Sequence, residues 1–445
     1  MLRRQFISRM AAIFGGSVLS TQALSKAALS GTSASTSNAL AAAATSISPG
    51  DWQALRKLFP LTHDYVQLST FLLASHPKPV ADAIAEHRKG LDENPSDYWH
   101  DRFLTVDQDI AKSAANYMGG KAENIALTDS TTMGLGTMYN ALALDSGDEI
   151  LQTTHDHYST DMSLAFAAKR AGASIKRIDL YDDPAKTSTK DVLQRLRDGI
   201  GSETKVIAVT WVHSCTGVKL PIRAMANTIA QANKQRRSDK QILFCVDGVH
   251  GFGIEDENID ELGCDFFVAG THKWIFGPRG TGVIWGTDKA WQMTAPVIPS
   301  FSESYDVWLG LTEQDKVWNG QHMTPGGFHS FEHRWALPKA FELHMQLGKA
   351  NVQKRIHQLN TQTKQGLAKM KHVKLYTPMS SSLSSGLVVF DVDGLPAEQV
   401  VKKLHDKGII MSATPYRNSY SRFAPSLINN ENEIEAALAE IARLA

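Results

Sequence analysis

The chain has 445 residues, of which 42% are hydrophobic, and its 46 Lys and Arg residues balance its 46 Asp and Glu residues. This length suits a large domain joined to a smaller one, and the neutral balance argues against a nucleic-acid-binding protein or an acidic disordered tail. The three cysteines, Cys215, Cys245 and Cys264, lie in apolar runs without disulfide or zinc-ligand spacing, so we expect buried structural thiols.

The first predicted segment is an export signal. MLRRQFISRM places Arg3 and Arg4 ahead of Phe6 and a short apolar stretch, a pattern that resembles a twin-arginine signal. The stretch is too short for a membrane span, and an Ala/Ser/Thr-rich linker follows it. We therefore expect signal and linker over residues 1–50, with export through the twin-arginine machinery to the periplasm or beyond. A chance basic start on a soluble protein is the alternative.

Residues 51–95 are expected to form an N-terminal segment. DWQALRKLF has the pattern of a short amphipathic helix, and YVQLSTFLLASHPKPV that of an extended stretch before a proline-rich turn. A long helical region is predicted from about Ala81 to Tyr117.

Residues 96–335 are expected to form a large α/β domain. Seven short apolar runs alternate with helix-length segments, which is typical of a mostly parallel sheet covered by helices on both faces. The predicted strands are NIALT, EILQTT, SIKRIDL, KVIAVTWV, ILFCVD, DFFVAG and GTGVIWG. Because the last two are joined by a stretch too short for a helical crossover, we do not expect them to be parallel neighbours.

Residues 336–445 are expected to form a small α+β domain. A long helix is predicted over ALPKAFELHMQLGKANVQKRIHQLNTQTKQGLAKM, followed by strands in GLVVFDV, IIMSATP and RFAPSL and helices in AEQVVKKLHDKG and NENEIEAALAEIARL. No GxGxxG follows the first strand of the chain, which disfavours a nicotinamide enzyme.

Polar residues follow several predicted strands, where open α/β sheets bind ligands. NIALTDSTTMGLG places Ser130, Thr131 and Thr132 at the start of a helix. Hydroxyls and backbone N–H groups there can cradle an anion, or can simply cap the helix. After the next strand, HDH gives His155, Asp156 and His157. A histidine there can stack on a flat ring, bind a metal or hydrogen-bond within the turn.

Two further strand ends carry charged residues. VDGVHGFG supplies Asp247 and His250, and FVAGTHKW supplies Thr271, His272 and Lys273. A lysine at the end of a buried strand is costly to desolvate unless its charge is matched or its pKa moves. That cost suggests that the site uses the lysine.

Together these strand ends fit one chemistry. A lysine amine forms a Schiff base with the aldehyde of pyridoxal phosphate, a carboxylate keeps the pyridine nitrogen protonated, and a helix N-terminus holds the phosphate. Asp247 precedes Lys273 by 26 residues, about one strand–helix–strand unit. This spacing predicts that both lie on neighbouring strand ends and face one crevice.

VDGVHGFG, THKW and the following GPRGTG resemble class V of the fold-type I pyridoxal-phosphate enzymes, and within it the isopenicillin N epimerase-like branch. The resemblance extends from about Tyr65 to the end of the chain. It implies a three-layer large domain with a seven-stranded sheet, a small C-terminal domain and a homodimer. Exported members that tailor the siderophore pyoverdine also look similar.

The resemblance also implies residue roles. Lys273 would form the Schiff base, Asp247 would pair with the ring nitrogen, and His157 would stack on the ring face. Arg422 in SRFAPSL matches the arginine that grips the substrate carboxylate, a task suited to its planar fork; a surface salt bridge is the alternative. The remaining implied cofactor contacts are Ser130, Thr131, Thr132, Thr271 and His272 near the phosphate, and Thr216 or His250 near the ring hydroxyl.

The sequence thus predicts an exported pyridoxal-phosphate enzyme acting at the α-carbon of an amino acid or peptide-linked amino acid. Transamination, epimerisation and elimination stay open. Desulfuration is disfavoured, because desulfurases of this class need a cysteine ahead of the C-terminal arginine and MSATPYRNSYSR has none. Two alternatives are a binding protein that keeps the cofactor without turnover, and a metal hydrolase using His155, Asp156, His157 and His250. We expect no metal in the predicted pyridoxal-phosphate enzyme. The chain also lacks the HExxH pair that is typical of catalytic zinc sites.

Overall fold

A computed structural model describes residues 47–301, 303–311, 313 and 319–445. The predicted signal peptide, its arginine pair and most of the linker lie outside these residues. Within the described ranges, no helix is long and apolar enough to cross a membrane. One compact unit takes in residues 47–305 and 315–445, and it carries the sheet and all candidate site residues. Residues 306–314 belong to a separate unit.

The N-terminal segment contributes one short helix and one short strand, α1 (Trp52–Arg56) and β1 (Val66–Gln67). The long helical region predicted next is divided into α2 (Lys78–Glu93), α3 (Pro95–His100) and α4 (Val106–Met118). The first break falls at a proline, which lacks the N–H needed to continue a helix. The Asn94 side chain caps the new helix by accepting from Asp97 N.

Seven strands form the central sheet, in the order β2-β8-β7-β6-β5-β3-β4. The strands are β2 (Ile125–Thr128), β3 (Glu149–Thr153), β4 (Ser174–Ile178), β5 (Thr204–Thr210), β6 (Leu243–Asp247), β7 (Phe266–Gly270) and β8 (Gly282–Gly286). Strands β4, β3, β5, β6 and β7 pair in parallel, whereas β8 is antiparallel to both β7 and β2. The predicted α/β class and the predicted non-parallel β7–β8 pair are confirmed.

Both faces of this sheet are buried. Along β6, Leu243 and Cys245 pack into one apolar core, and Phe244 and Val246 pack into the other. Successive side chains of a strand point to opposite faces, so two cores require cover on both sides and give three layers. The helices that follow in the large domain are α5 (Thr131–Ala141), α6 (Tyr158–Ala171), α7 (Thr189–Gly199), α8 (Ile222–Asn233), α9 (Ile259–Leu262), α10 (Asp288–Trp291), α12 (Gly320–Met323) and α13 (Phe331–Ala336). A further short helix, α11 (Glu303–Trp308), includes residues of the separate unit.

The small domain is built on an antiparallel sheet with the order β12-β13-β10-β9. Its elements are α14 (Pro338–Leu347), α15 (Lys349–Leu367), β9 (Val373–Leu375), β10 (Val388–Val392), α16 (Ala397–His405), β11 (Ile409–Ile410), β12 (Ser412–Ala413), β13 (Ser421–Phe423) and α17 (Glu431–Ala442). The prediction of one long helix was wrong. The chain breaks at Pro338 and again at Gly348, whose φ of 78° lies in the left-handed region that favours glycine.

Strand β1 pairs in parallel with β11, so a piece of the N-terminal segment is held by the small domain. Leu68 extends this contact, because its N–H donates to Ile410 O at 2.8 Å and its carbonyl accepts from Ala424 N at 2.8 Å. The residues 65–75 (YVQLSTFLLAS), called the entrance segment below, run on from this pairing toward the edge of the large sheet.

Candidate active site

One cavity collects most of the predicted site residues. It lies where β2, β5, β6 and β7 end, and it encloses about 750 Å³ including the part open to solvent. Its lining consists of Phe71, Leu72, Ser130, Thr131, Thr132, His157, Ser159, Thr210, Ser214, Asp247, Val249, His250, His272, Lys273, Pro415 and Arg422. The entrance segment, the large domain and the small domain thus each contribute residues to this one cavity.

Lys273 stands in the turn that leaves β7. Phe276 N donates to Lys273 O at 3.2 Å and Gly277 N donates to Thr271 O at 2.9 Å, which makes the turn tight. Phe276 has a φ of 57°, a left-handed conformation that is uncommon for a bulky residue and costs of order 1–3 kcal/mol. Burial, followed by the nearby Arg422 guanidinium, lowers the pKa of Lys273 to about 8, while Asp247 acts to raise it. No carboxylate of the described chain forms an ion pair with its ammonium.

Asp247 ends β6 and is 1% exposed. Its Oδ1 accepts from Val249 N at 3.2 Å. Burial raises the pKa of this carboxyl to about 7, and the buried Asp156 adds to the rise. A buried carboxylate without a cationic partner is costly, and a protonated ring nitrogen in the cavity would supply that partner.

The start of α5 serves both as a helix cap and as a potential anion site. Ser130 Oγ accepts from Met133 N at 3.2 Å, which is an ordinary N-cap bond. Thr131 Oγ1 accepts from Gly270 N at 2.8 Å and thereby ties the helix to the end of β7. A side chain at Gly270 would place Cβ 2.9 Å from that hydroxyl, so glycine permits this close approach. The helix N-terminus, its hydroxyls and the buried, unpartnered Nδ1 of His272 suit a phosphate.

Two histidines line the cavity as neutral rings. His157 is the N-cap residue of α6, and its Nδ1 lies 2.7 Å from Ser159 Oγ. Burial, followed by Lys273 and Arg422, lowers the pKa of His157 to about 4. His250 Nδ1 accepts from Trp274 Nε1 at 3.3 Å, which leaves Nε2 as the protonated nitrogen. Burial also holds the pKa of His250 well below its usual value.

Arg422 lies on β13 and is 2% exposed, so the alternative of a surface salt bridge does not hold. Its Nε donates to Ser412 Oγ at 3.1 Å and its Nη1 donates to Ser214 O at 2.7 Å. Among the described residues, no carboxylate pairs with this guanidinium. Burial lowers the pKa of Arg422 to about 10. A buried cation held only by neutral oxygens is suited to take a carboxylate from a ligand.

Two predicted contacts lie outside the cavity. Thr216 Oγ1 lies 2.9 Å from Tyr181 OH, and Thr271 Oγ1 bonds to Thr281 Oγ1. Both threonines are buried and engaged within the protein. Their hydrogen bonds to Tyr181 and Thr281 hold loops next to the cavity in place. A direct contact of either threonine with a cofactor stays a prediction.

Sequence patterns missed two residues that line the cavity. Phe71 lies in the entrance segment, with its ring centroid 5.4 Å from Lys273 Nζ. Ser214 belongs to the loop after β5, and its hydroxyl lies 2.6 Å from Tyr416 OH. No local motif marks these positions.

The residues of the metal-hydrolase alternative are occupied by internal contacts. His155 Nε2 accepts from Leu180 N at 3.1 Å, and its ring stacks on Tyr181 at 3.9 Å between centroids. Asp156 accepts from Thr153 N at 2.9 Å and from Thr210 N at 2.7 Å. In the part of the chain that the structure describes, no group of three or more His, Cys, Asp or Glu side chains could hold a metal ion.

The fold and the donor set together fit pyridoxal phosphate. An anion site, a buried carboxylate, a lysine of lowered pKa and an unpaired arginine line one space at the carboxyl ends of parallel strands. This arrangement defines the class of fold-type I pyridoxal-phosphate enzymes, as predicted. The family model for aminotransferase class V matches residues 74–415. The chain belongs to that family.

Relatives and solved structures agree with this assignment. The chain is 23% identical to isopenicillin N epimerase of Streptomyces clavuligerus over 399 residues, 86% of this chain and 96% of that protein. It is 25% identical to a probable cysteine desulfurase of Vibrio cholerae over 421 residues, 87% of this chain and 97% of that protein. A solved C-DES mutant with glycine covalently linked to its pyridoxal-phosphate cofactor superimposes with a TM-score of 0.77 at 20% identity, covering 87% and 98% of the two chains.

Proposed function

We propose that this protein is a pyridoxal-phosphate-dependent enzyme of the aminotransferase or epimerase type, acting at the α-carbon of an amino acid or peptide-linked amino acid. The observation that carries the proposal is that Lys273, Asp247 and Arg422 line one cavity, although none of them has an ion-pair partner within the described chain. A bound cofactor would withdraw electrons from the substrate α-carbon and so make its proton removable. The protein supplies the binding, the orientation and the proton transfer.

Binding of the cofactor would use the strand ends and the start of α5. Ser130, Thr131 and Thr132 would hold the phosphate at the helix N-terminus, together with His272. Asp247 would hold the proton on the ring nitrogen, because an anion in a buried site favours the protonated form of its partner.

Proton transfer would use the lysine, and substrate binding the arginine. Lys273 would hold the cofactor through its amine and would also serve as the base that takes the proton from the substrate α-carbon. With a pKa of about 8, roughly a tenth of the amine is neutral at pH 7 and about half at pH 8, far more than for an ordinary lysine. Arg422 would orient the substrate by two parallel hydrogen bonds to the α-carboxylate.

The cysteines argue against persulfide chemistry. Burial raises the pKa of Cys215 to about 11, and it raises the pKa of Cys245 and Cys264 well above the usual range. The thiolate is the nucleophile in such chemistry, so these thiols are poorly suited to it. The loop between β12 and β13, residues 414–420, contains no cysteine. These observations favour aminotransferase or epimerase chemistry over desulfuration.

The visible spectrum of the purified protein tests the proposal. We expect an absorption band that borohydride removes, with the reduced cofactor found by peptide mass spectrometry on Lys273. Lys364 is the internal control, because burial also lowers its pKa to about 8 and yet it lies outside the cavity. Lys273→Ala should lack the borohydride-fixed cofactor. A wild-type protein that stays colourless with added pyridoxal phosphate, or that carries the cofactor on Lys364, would contradict the proposal.

We also propose export through the twin-arginine pathway, supported by the RRQFI order at Arg3 and Arg4. Cell fractionation of the wild type and of a double Arg3→Lys, Arg4→Lys variant tests this. We expect the wild type outside the cytoplasm and the variant inside it. Equal distribution of the two would contradict export by this route. The homodimer and the likeness to siderophore-tailoring enzymes stay predictions.

A further inference from the structure

A buried turn holds the arginine of the candidate active site. Arg422 Nη1 donates to the Ser214 carbonyl at 2.7 Å, and its Nε donates to Ser412 Oγ at 3.1 Å. Within the described chain, these two hydrogen bonds fix the guanidinium. Ser214 belongs to residues 213–217 (HSCTG), called the Ser214 turn below. The direction of the guanidinium therefore depends on the position of this turn.

The small domain contacts the Ser214 turn closely. Thr377 Oγ1 donates to Thr216 O at 2.8 Å. Gly217 has a φ of 74°, and a Cβ at this position would lie 2.5 Å from Thr377 Oγ1 and 2.8 Å from Leu387 O. Glycine permits both the left-handed backbone and the close approach. The turn is therefore a point at which the two domains meet.

Tyr181 contacts the same turn from the large domain. Its hydroxyl lies 2.7 Å from His213 Nδ1 and 2.9 Å from Thr216 Oγ1, so one phenol bridges two positions of the turn. The Tyr181 ring is itself held, because it stacks on His155 with 3.9 Å between the ring centroids. The cavity lining includes Ser214 but neither Tyr181 nor His213. The phenol thus acts on the turn from behind the cavity wall.

The contact between Tyr181 and His213 has a cost for the fold. His213 is 0% exposed, and its Nε2 is buried without a hydrogen-bond partner among the described residues. Burial holds the pKa of His213 well below its usual value, so the ring is neutral. A buried polar atom without a partner lowers stability, whereas replacing both partners of a buried hydrogen bond by apolar groups can be neutral or stabilising. Apolar side chains would therefore serve stability better than this pair does.

We propose that Tyr181 and His213 are positioning residues for substrate binding, which fix the Ser214 turn so that Arg422 points at the substrate carboxylate. This inference rests on the proposed function, in which Arg422 binds that carboxylate. The pair acts through the turn and does not line the cavity. Loss of the phenol should therefore weaken only the part of the binding that comes from the carboxylate.

Two stable ligands measure that part of the binding. N-(5′-phosphopyridoxyl)-L-alanine and N-(5′-phosphopyridoxyl)ethylamine differ only in the carboxylate. Isothermal titration calorimetry of the cofactor-free full chain gives the ratio of their dissociation constants and does not require turnover. We expect the wild type to bind the alanine compound about a hundredfold more tightly than the ethylamine compound. Arg422→Gln should bind the two about equally.

A single substitution tests the role of the phenol. Tyr181→Phe should reduce the preference for the alanine compound about tenfold, and it should change the affinity for the ethylamine compound by less than about twofold. Tyr98→Phe is the matched control, because Tyr98 OH lies 3.0 Å from His87 Nδ1 and neither residue lines the cavity. It removes a tyrosine–histidine hydrogen bond elsewhere and should leave the preference unchanged.

A double variant separates positioning from stability. Tyr181→Phe combined with His213→Leu replaces both partners by apolar side chains. We expect its midpoint of urea unfolding to equal or exceed that of the wild type, because the unpartnered ring nitrogen is gone. The preference for the alanine compound should nevertheless stay about tenfold lower than in the wild type. A pair that only supports the fold would give the opposite result in both measurements.

Several results would overturn the inference. A Tyr181→Phe protein that keeps the wild-type preference would do so, as would one that binds both compounds equally more weakly. A double variant that unfolds at lower urea than the wild type would assign the pair to the support of the fold. In each case, binding of both compounds to the wild type would leave the proposed function standing. A wild type that binds neither compound would overturn both proposals.

Discussion

The guanidinium carbon of Arg422 lies 4.6 Å from the ring centroid of Phe71, although 350 residues separate them along the chain. The same ring lies 5.4 Å from Lys273 Nζ. An aromatic face attracts both cations by its quadrupole, and it excludes water from the space between them. The ring is part of the apolar surroundings whose burial lowers the pKa of both Arg422 and Lys273, while its attraction for cations acts in the opposite direction.

The buried carboxyl of Asp247 predicts how the stability of the cofactor-free protein depends on pH. Its pKa is raised from 3.8 to about 7, so the folded state binds more protons than the unfolded state between these values. The stabilisation present at low pH is then lost as pH rises through about 7. We expect Asp247→Asn to be more stable than the wild type at pH 8 by on the order of 2–4 kcal/mol, with a smaller difference at pH 5.

Urea unfolding of the cofactor-free proteins at pH 5 and pH 8 measures this difference. Asp198→Asn changes an exposed carboxylate and serves as the control, with no expected change of the wild-type profile. If the free energies of unfolding of the wild type and Asp247→Asn differed by the same amount at pH 5 and pH 8, burial would not raise the pKa of the Asp247 carboxyl. In the loaded enzyme the same substitution should lower kcat by at least about a hundredfold, because in the proposed function the Asp247 carboxylate holds the proton on the ring nitrogen.

The lowered pKa of Lys273 predicts the pH dependence of cofactor attachment. The neutral amine is the nucleophile, so the rate of attachment to the cofactor-free protein should rise with a midpoint near pH 8. Arg422 is the second cause of the lowered pKa. Arg422→Gln should therefore move the midpoint to higher pH. Stopped-flow absorbance gives both midpoints, and an unchanged midpoint in the variant would refute the electrostatic link.

The Ser214–Tyr416 hydrogen bond predicts an effect on substrate binding alone. The Ser214 carbonyl accepts from Arg422 while its hydroxyl contacts Tyr416 OH, so the phenol helps to fix the loop that orients the guanidinium. Tyr416→Phe should raise KM about tenfold with little change in the affinity for pyridoxal phosphate. Steady-state kinetics and cofactor titration separate the two. Loss of cofactor affinity instead would assign Tyr416 to the cofactor site.

A buried charge network joins the two domains and predicts a large stability effect. Glu255 bonds to Lys219 at 2.6 Å, to His357 at 2.9 Å and to Ser385. Burial acts to raise the pKa of Glu255, but hydrogen bonds from His357 and Lys219 leave it below its ordinary value. Glu255→Gln leaves the Lys219 ammonium without its partner, so we expect a loss of about 3–5 kcal/mol.

Denaturant unfolding measures this loss against an exposed pair. Lys339 and Glu342 form an ion pair at 2.8 Å with both side chains 49% exposed. Glu342→Gln should cost about 0–1 kcal/mol. Similar costs for the two substitutions would mean that solvent reaches the interdomain network.

The sequence predicted the large sheet better than the small domain, for a physical reason. Strands such as β5 and β6 are buried on both faces and stand out as continuous apolar runs. Strand β9 has only three residues, of which none is fully buried, and it carries no comparable pattern. Pro338 and Gly348 are residue types that often end a helix. The apolar periodicity nevertheless continues across both positions, so the pattern favoured a single helix.

The sequence predicted those site residues that follow directly after neighbouring strands of the sheet. Asp247 and Lys273 lie on β6 and beyond β7, which are neighbours in the sheet, so their spacing along the chain indicated their meeting. Phe71 and Ser214 reach the cavity through the packing of loops and the small domain. Such long-range packing leaves no local pattern, and Arg422 was found only by family resemblance.

The entrance segment is tied to both domains. Through β1 and Leu68 it is hydrogen-bonded to the small domain, and near its far end Ala74 O accepts from Arg279 Nη1 of the large domain at 3.3 Å. Arg422 is itself on a strand of the small domain, and Ala424, two residues further on, donates to Leu68 O. A displacement of the small domain would therefore act on the segment that carries Phe71 as well as on the strand that carries Arg422. If Arg422 binds the substrate carboxylate as proposed, substrate binding and the position of the Phe71 ring at the entrance would be coupled through these backbone hydrogen bonds.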